Sequence, residues 1–246
     1  MKIPPEPLDL LLTELKLSRV DLLSWGASWA RAAPTVTLVP AFGLRAVPAP
    51  TRVALGLALG LAVAPALRPA LDLSLTPAAM LALELVKGLP IAVGAALALW
   101  VALMAGGLID NLRGAREAAD LPHVEPGSTT TGALLAMLSA IAFLQSGGAS
   151  RVAARVGDPG LQVTGTLARI SISLTGSVEL AVAVAAPLVV VSLLVETGSA
   201  LIARAASPAY LQPLLAPLRS LVILGAVALL LDRISELLLF YAASAP

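Results

Sequence analysis

The residues able to carry chemistry in this chain are few, and most are carboxylates and cations set inside apolar stretches. Glu84 and Lys87 lie three apart and share a helix face. Glu179 and Glu196 stand in another long apolar stretch, with Arg204 two helical turns beyond Glu196, and Asp232, Arg233 and Glu236 stand in the last one. An ionised side chain at the centre of a membrane helix costs about 2.5–3.5 kcal/mol on insertion scales. Such groups therefore line a path for ions or substrate, or pair with each other or with a neighbouring subunit. For Glu84–Lys87 the paired reading is preferred, because the pair is local and nearly neutral. Glu196 and Arg204 read as packing anchors, and Asp232-Arg233-Glu236 also fits a position at the membrane interface.

Catalytic alternatives find little support. His123 is the only histidine, which excludes a multi-histidine metal site and leaves one candidate base for a Ser-His-Asp triad. It sits in a loop beside Glu125, and nothing fixes a serine near it. The absence of cysteine excludes disulfides, thiol nucleophiles and thiolate metal sites. Gly106-Gly107 and Gly147-Gly148 suit bending or close packing and are not part of a G-x-x-x-x-G-K-[ST] phosphate loop. No enzyme activity, metal or cofactor is expected.

The elements that must position these residues are membrane elements. The 246 residues are 58% hydrophobic and only 13% charged, with a mean hydropathy of +0.93. A soluble domain carries about 25% charged residues, so lipid or partner protein must cover much of this exterior. Aromatics are 3%, and the small aliphatic residues that dominate suit close helix packing. A net charge of +1 argues against a nucleic-acid partner. The N-terminal segment, about 1–30, carries Lys2, Glu6, Asp9, Glu14, Lys16, Arg19 and Asp21. It lacks the uncharged core of a cleavable signal and, with leucines at helical spacing, reads as an amphipathic helix.

Apolar stretches follow at about 32–44, 53–71, 77–109, 132–144, 170–203 and 218–243. Thr51 is a candidate N-cap for the second stretch, where Gly56 and Gly60 form a GxxxG and Ala54, Ala58, Ala62 and Ala66 share a face. Thr76-Pro77 opens the third, which at about 33 residues would run roughly 50 Å as one helix, longer than a bilayer core of about 30 Å. Pro90 in the third and Pro187 in the fifth offer breaks or kinks. Polar loops are expected at 110–131 and 150–169, with a proline-rich connector at 204–217. Lys and Arg are spread over both sets of loops, so orientation stays open.

Four blocks resemble the T-type subunits of type III secretion export gates, FliR in flagella and SctT (YscT, SpaR, HrcT, EscT) in injectisomes. They are Arg31-x-x-Pro34 with Pro40-Ala-Phe-Gly43, Val47-Pro48, Arg52 and Ala64-Pro65; Glu84-x-x-x-Gly88 with Gly94 and Ala105-Gly106; Ile109-Asp110-Asn111-Leu112-Arg113-Gly114-Ala115; and Arg204-x-x-x-Pro208 with Pro217-Leu218. The third is the most specific. It is similar to the injectisome branch's I-D-N-Q-R-G-A, with Leu112 in place of glutamine. The chain departs from the family pattern at two places that bear on partner choice and gating: the Gly147-Gly148 region lacks the histidine often found after it, and the loop after Gly114 is reshaped as Leu121-Pro-His-Val-Glu-Pro126.

The resemblance implies an all-α membrane protein, a single unit over 1–246, with proline-broken helical hairpins packed in a helical export-gate assembly of the bacterial inner membrane. The expected partners are P-type (SctR/FliP-like) and Q-type (SctS/FliQ-like) subunits, SctU/FlhB-like and SctV/FlhA-like proteins, and secreted polypeptides in transit. It places the 110–131 loop at the narrow part of the channel, with Asp110, Asn111, Arg113, Gly114 and Arg116 in gating. Arg31, Glu84, Lys87, Gly88, Gly106, Arg204 and Pro208 are expected in assembly. The rivals are a small-solute or ion transporter, which proline-broken helices would suit but which should show repeated halves, and a membrane-embedded enzyme, which should show a clustered site. Neither feature is visible.

Overall fold

A computed structural model describes residues 19–39, 48–67, 74–115, 128–162, 164–205 and 212–244. Among them the chain is helical: α1 Arg19–Leu38, α2 Ala49–Leu67, α3 Pro77–Arg113, α4 Thr130–Gln145, α5 Gly148–Val156, α6 Thr166–Ala205 and α7 Gln212–Ser244. The expected all-α architecture is present among the described residues, and α2, α3 and α6 are each long and apolar enough to cross a membrane. α4 and α5, bent by 66° at their junction, make a fourth candidate span if taken together.

α3 is the axis of the molecule. Over 37 residues it packs against α1, α4, α6 and α7, and at one point against α5, and it does so through small residues. Ala92, Ala95, Ala96, Ala98, Ala102 and Ala105 are buried along it, which lets several neighbours approach one helix. Its start follows from local chemistry: Thr76 Oγ1 accepts from the Ala79 N–H at 3.4 Å and Pro77 takes the first helical position. Two apolar clusters flank it. One joins α1, α2, α3 and α5 around Phe143 of α4; the other joins α3 and α4 to the α6–α7 hairpin around Val101, Leu135, Leu188 and Ile223.

Pro34, Pro65, Pro90, Pro187 and Pro217 lie inside helices that continue on both sides of them. Packed membrane helices tolerate this because neighbours re-satisfy the freed backbone groups.

Four boundaries differ from the sequence expectations. The connector expected to reach 217 gives way at Gln212 to α7, which takes in Pro217. The charged N-terminal segment and the first apolar stretch are not separate at residue 31. From Arg19 onward they form one helix, α1, because Arg31 is neutralised inside the fold; residues 1–18 lie outside the described part. Thr51 is not an N-cap, since α2 begins at Ala49 and the Thr51 and Arg52 N–H groups donate to the Pro48 carbonyl at 3.0 and 3.2 Å. The loop expected from 150 is helical to Val156. Val152 and Val156 bury one face of α5, and the Gly147 backbone, at φ 74°, turns the chain into it.

The GxxxG of α2 is used within the chain. A Cβ on Gly60 would lie 2.9 Å from the Trp29 backbone, and Gly56 faces the Trp29 indole. The alanine face at 54, 58, 62 and 66 is exposed instead.

Candidate functional site

The polar residues of α3 form two buried clusters, one near each end of its packed length. In the first, Arg31 of α1 is 1% exposed. Its Nε donates to Glu84 Oε2 at 2.6 Å, and its Nη2 pairs with the same oxygen. Lys87 Nζ, one turn along α3, reaches Glu84 Oε1 at 2.7 Å. The remaining Arg31 donor, Nη1, bonds the carbonyls of Val156 at 3.2 Å and Asp158 at 2.7 Å, where α5 ends. Two cations thus share one carboxylate, and the partial negative charge of a helix C-terminus supplies further compensation. One side chain ties α1, α3 and α5 together.

The clasp is possible because α1 and α3 nearly touch. A Cβ on Gly88 would lie well under 3.0 Å from the Arg31 carbonyl oxygen. The Glu84–Lys87 pair expected from the sequence, together with Arg31 and Gly88, therefore meets at one helix crossing.

The second cluster fastens α3 to α4. Asp110, 1% exposed, accepts from the Thr131 N–H at 2.7 Å through Oδ2 and from the Thr131 hydroxyl at 2.6 Å through Oδ1. Arg113 Nη1 stands 3.3 Å from Asp110 Oδ1 and 3.4 Å from Thr131 Oγ1. α4 begins at Thr130, so the Thr131 N–H belongs to its first turn and has no intrahelical partner. A carboxylate from another helix fills that role, at the end of α4 where the dipole favours negative charge. Thr129 Oγ1 caps the same turn by accepting from the Gly132 N–H at 3.4 Å.

Here too glycine sets the distance. A Cβ on Gly106 would fall well under 3.0 Å from Gly132 Cα. Farther along the crossing, the Ser139 hydroxyl donates to the Ala98 carbonyl at 2.9 Å. Gly114, at φ 72°, ends α3, its N–H donating to the Asn111 carbonyl at 3.0 Å. Both ends of the 110–131 segment are thus held at one buried carboxylate. Asp110→Ala is expected to lower stability by about 1.5–3 kcal/mol, the worth of its charge-assisted bonds. Asp110→Asn, which keeps one acceptor, should fall between; thermal unfolding in detergent measures both.

Asn111 is exposed and contributes its backbone carbonyl rather than its amide. Arg204 is exposed near the end of α6 and pairs with no acid among the described residues. Arg116 and Pro208 lie outside them, as does His123. Glu196 meets Arg219 of α7 at 2.6 Å, and Arg219 also donates to Ser192 Oγ at 3.3 Å. At the other end of that hairpin Ser177 Oγ and Tyr241 Oη lie 2.7 Å apart. Sequence reasoning did not single out Thr131, the carbonyls at the end of α5, or Arg219. For Thr131 the available signal was the Thr129-Thr130-Thr131 run before an apolar stretch, an N-terminus signature.

No curated protein matches the chain. The family model described as bacterial export proteins, family 1, matches residues 22–243, a range that takes in both polar clusters and the α6–α7 hairpin. With its apolar helices and nearly complete coverage by that model, the chain belongs to the FliR/SctT family of bacterial export proteins, membrane components of an export apparatus.

Proposed function

We propose that this chain is the T-type subunit of a type III secretion export gate, a multi-pass protein of the bacterial inner membrane that helps form the conduit for unfolded polypeptides. It works without catalysis of its own. It sits beside P-type (SctR/FliP-like) and Q-type (SctS/FliQ-like) subunits, in reach of SctU/FlhB-like and SctV/FlhA-like proteins, and residues 1–246 act as one unit. The clasp at Arg31, Glu84, Lys87 and Gly88 and the crossing at Gly106 give the rigid body that assembly requires, and Arg204 and Pro208 serve contacts with neighbours. The segment 110–131, with Asp110, Asn111, Arg113, Gly114 and Arg116, forms the gate. In place it holds back water and ions, and displaced it passes the exported chain. The family match supports this reading over a solute transporter.

The observation that carries the gate assignment is the shared anchor of that segment: Asp110 and Arg113 at the end of α3 meet Thr131 at the start of α4. Arg113 adds a charge to the anchor without being buried as deeply as Asp110, its side chain being 13% exposed against 1%. Arg113→Ala is therefore expected to leave the assembled complex intact and to shift ion leak or secretion by about tenfold, the equivalent of one charge-assisted bond. Secretion assays paired with purification of the complex test it. Loss of assembly in Arg113→Ala would place Arg113 among the structural residues and remove it from the gate.

A further inference from the structure

We propose that the outward face of the α6–α7 hairpin docks a membrane-embedded helical segment of a neighbouring subunit that carries a Lys or Arg side chain at the level of Glu179 and Glu236. The proposal rests on the export-gate reading and deepens it by assigning a face and a partner chemistry. The hairpin is clamped by Ser177–Tyr241 and by Glu196–Arg219. Measured from the first clamp, Glu179 is two residues along α6 and Glu236 five residues along α7, about 3 and 7.5 Å at the helical rise. The two carboxylates therefore stand at nearly one level, with Asp232 and Arg233 about one turn beyond Glu236.

They also point away from the core. Ser177, Ala181, Val184, Ala185 and Leu188 form the buried stripe of α6, and Glu179 lies about 200° round the helix from Ser177. On α7, Leu229, Asp232, Glu236 and Phe240 recur on the face opposite the buried Ile234 and Leu238. None of the four charged groups forms an ion pair among the described residues, and three carboxylates stand against one guanidinium.

The surroundings decide what covers this face. Leu229 is 88% and Phe240 76% exposed, and Ile172, Val178 and Val182 flank Glu179 in the same condition. Such a face is too apolar for water and, at these carboxylates, too charged for hydrocarbon. A polypeptide that brings apolar side chains and a compensating cation satisfies both demands. Beside it, Leu97, Trp100, Leu103 and Met104 of α3 with Leu174 and Val178 of α6 line an open groove of about 270 Å³, room for a large apolar side chain. The Trp100 Nε1–H in its wall has no acceptor among the described residues.

The test uses the full chain co-expressed with its operon neighbours, carrying a photo-reactive amino acid at position 240, one turn from Glu236 on the same face. The expected adduct is an apolar segment of a neighbouring subunit with a Lys or Arg within about one helical turn. An adduct with lipid or detergent only, or with a segment lacking a basic residue, overturns the proposal. In the second arm, Glu179→Gln, Asp232→Asn and Glu236→Gln are combined. The complexed fraction seen by native mass spectrometry should fall about tenfold, because the partner's cation is left buried and unpaired. Thermal unfolding of the purified variant itself should not fall, since these groups form no ion pair among the described residues. An undiminished complex contradicts the docking proposal alone, whereas a wild-type chain that forms no complex contradicts the export-gate reading.

Discussion

Glu84→Ala is expected to remove about 3–5 kcal/mol of stability, because it strands two buried cations at once. Arg31 has two of its nitrogens on Glu84 Oε2 and Lys87 has its Nζ on Oε1. The carbonyls at the end of α5 can hold Arg31 Nη1 but cannot supply a full countercharge. Removing the carboxylate should therefore loosen α1 and α5 from α3 together. The cost belongs to the unpaired charges rather than to the net worth of the pair, so the combination Arg31→Met, Glu84→Leu, Lys87→Met should recover most of it. Steric-trap unfolding in micelles measures both variants. A Glu84→Ala protein as stable as wild type would show that water reaches the clasp. A triple variant no better than Glu84→Ala would show that geometry, not charge, is what the clasp provides.

Gly88→Ala is expected to cost about 1–3 kcal/mol or more, out of proportion to one methyl group. The new Cβ would meet the Arg31 backbone, which cannot swing aside as a flexible side chain can. α1 must then move off α3 and draw the Arg31 guanidinium from Glu84. Gly107→Ala is the control: nothing lies within 4 Å of its Cβ position, so alanine should stabilise by about 0.5–1 kcal/mol through helix propensity alone. Equal effects at the two positions, in thermal unfolding of the purified proteins, would contradict the close crossing.

What could be read from the sequence was what local chemistry decides. Thr76-Pro77 starts α3 where capping rules put it, and Glu84 and Lys87 pair at helical spacing. What could not be read depends on contacts between distant residues. Arg31 pairs with a residue 53 positions away, and a lone arginine before an apolar stretch reads as a boundary unless that partner is known. Arg151, Arg155 and Asp158 make α5 look like part of a polar loop, although Val152 and Val156 at i, i+4 carry its buried face. The GxxxG of α2 was legible as a close contact, but its intramolecular partner, Trp29, was not. The Asp110 latch was half legible: the acid and Arg113 stand out, while Thr131 joins them only because Gly106 and Gly132 bring two helices into backbone contact.

The most direct measurement is native mass spectrometry of the tagged chain, co-expressed with its neighbouring operon products and released in mild detergent. The export-gate account predicts a defined complex that holds P-type and Q-type subunits and one copy of this chain. A stable monomer or homodimer without such subunits would contradict it.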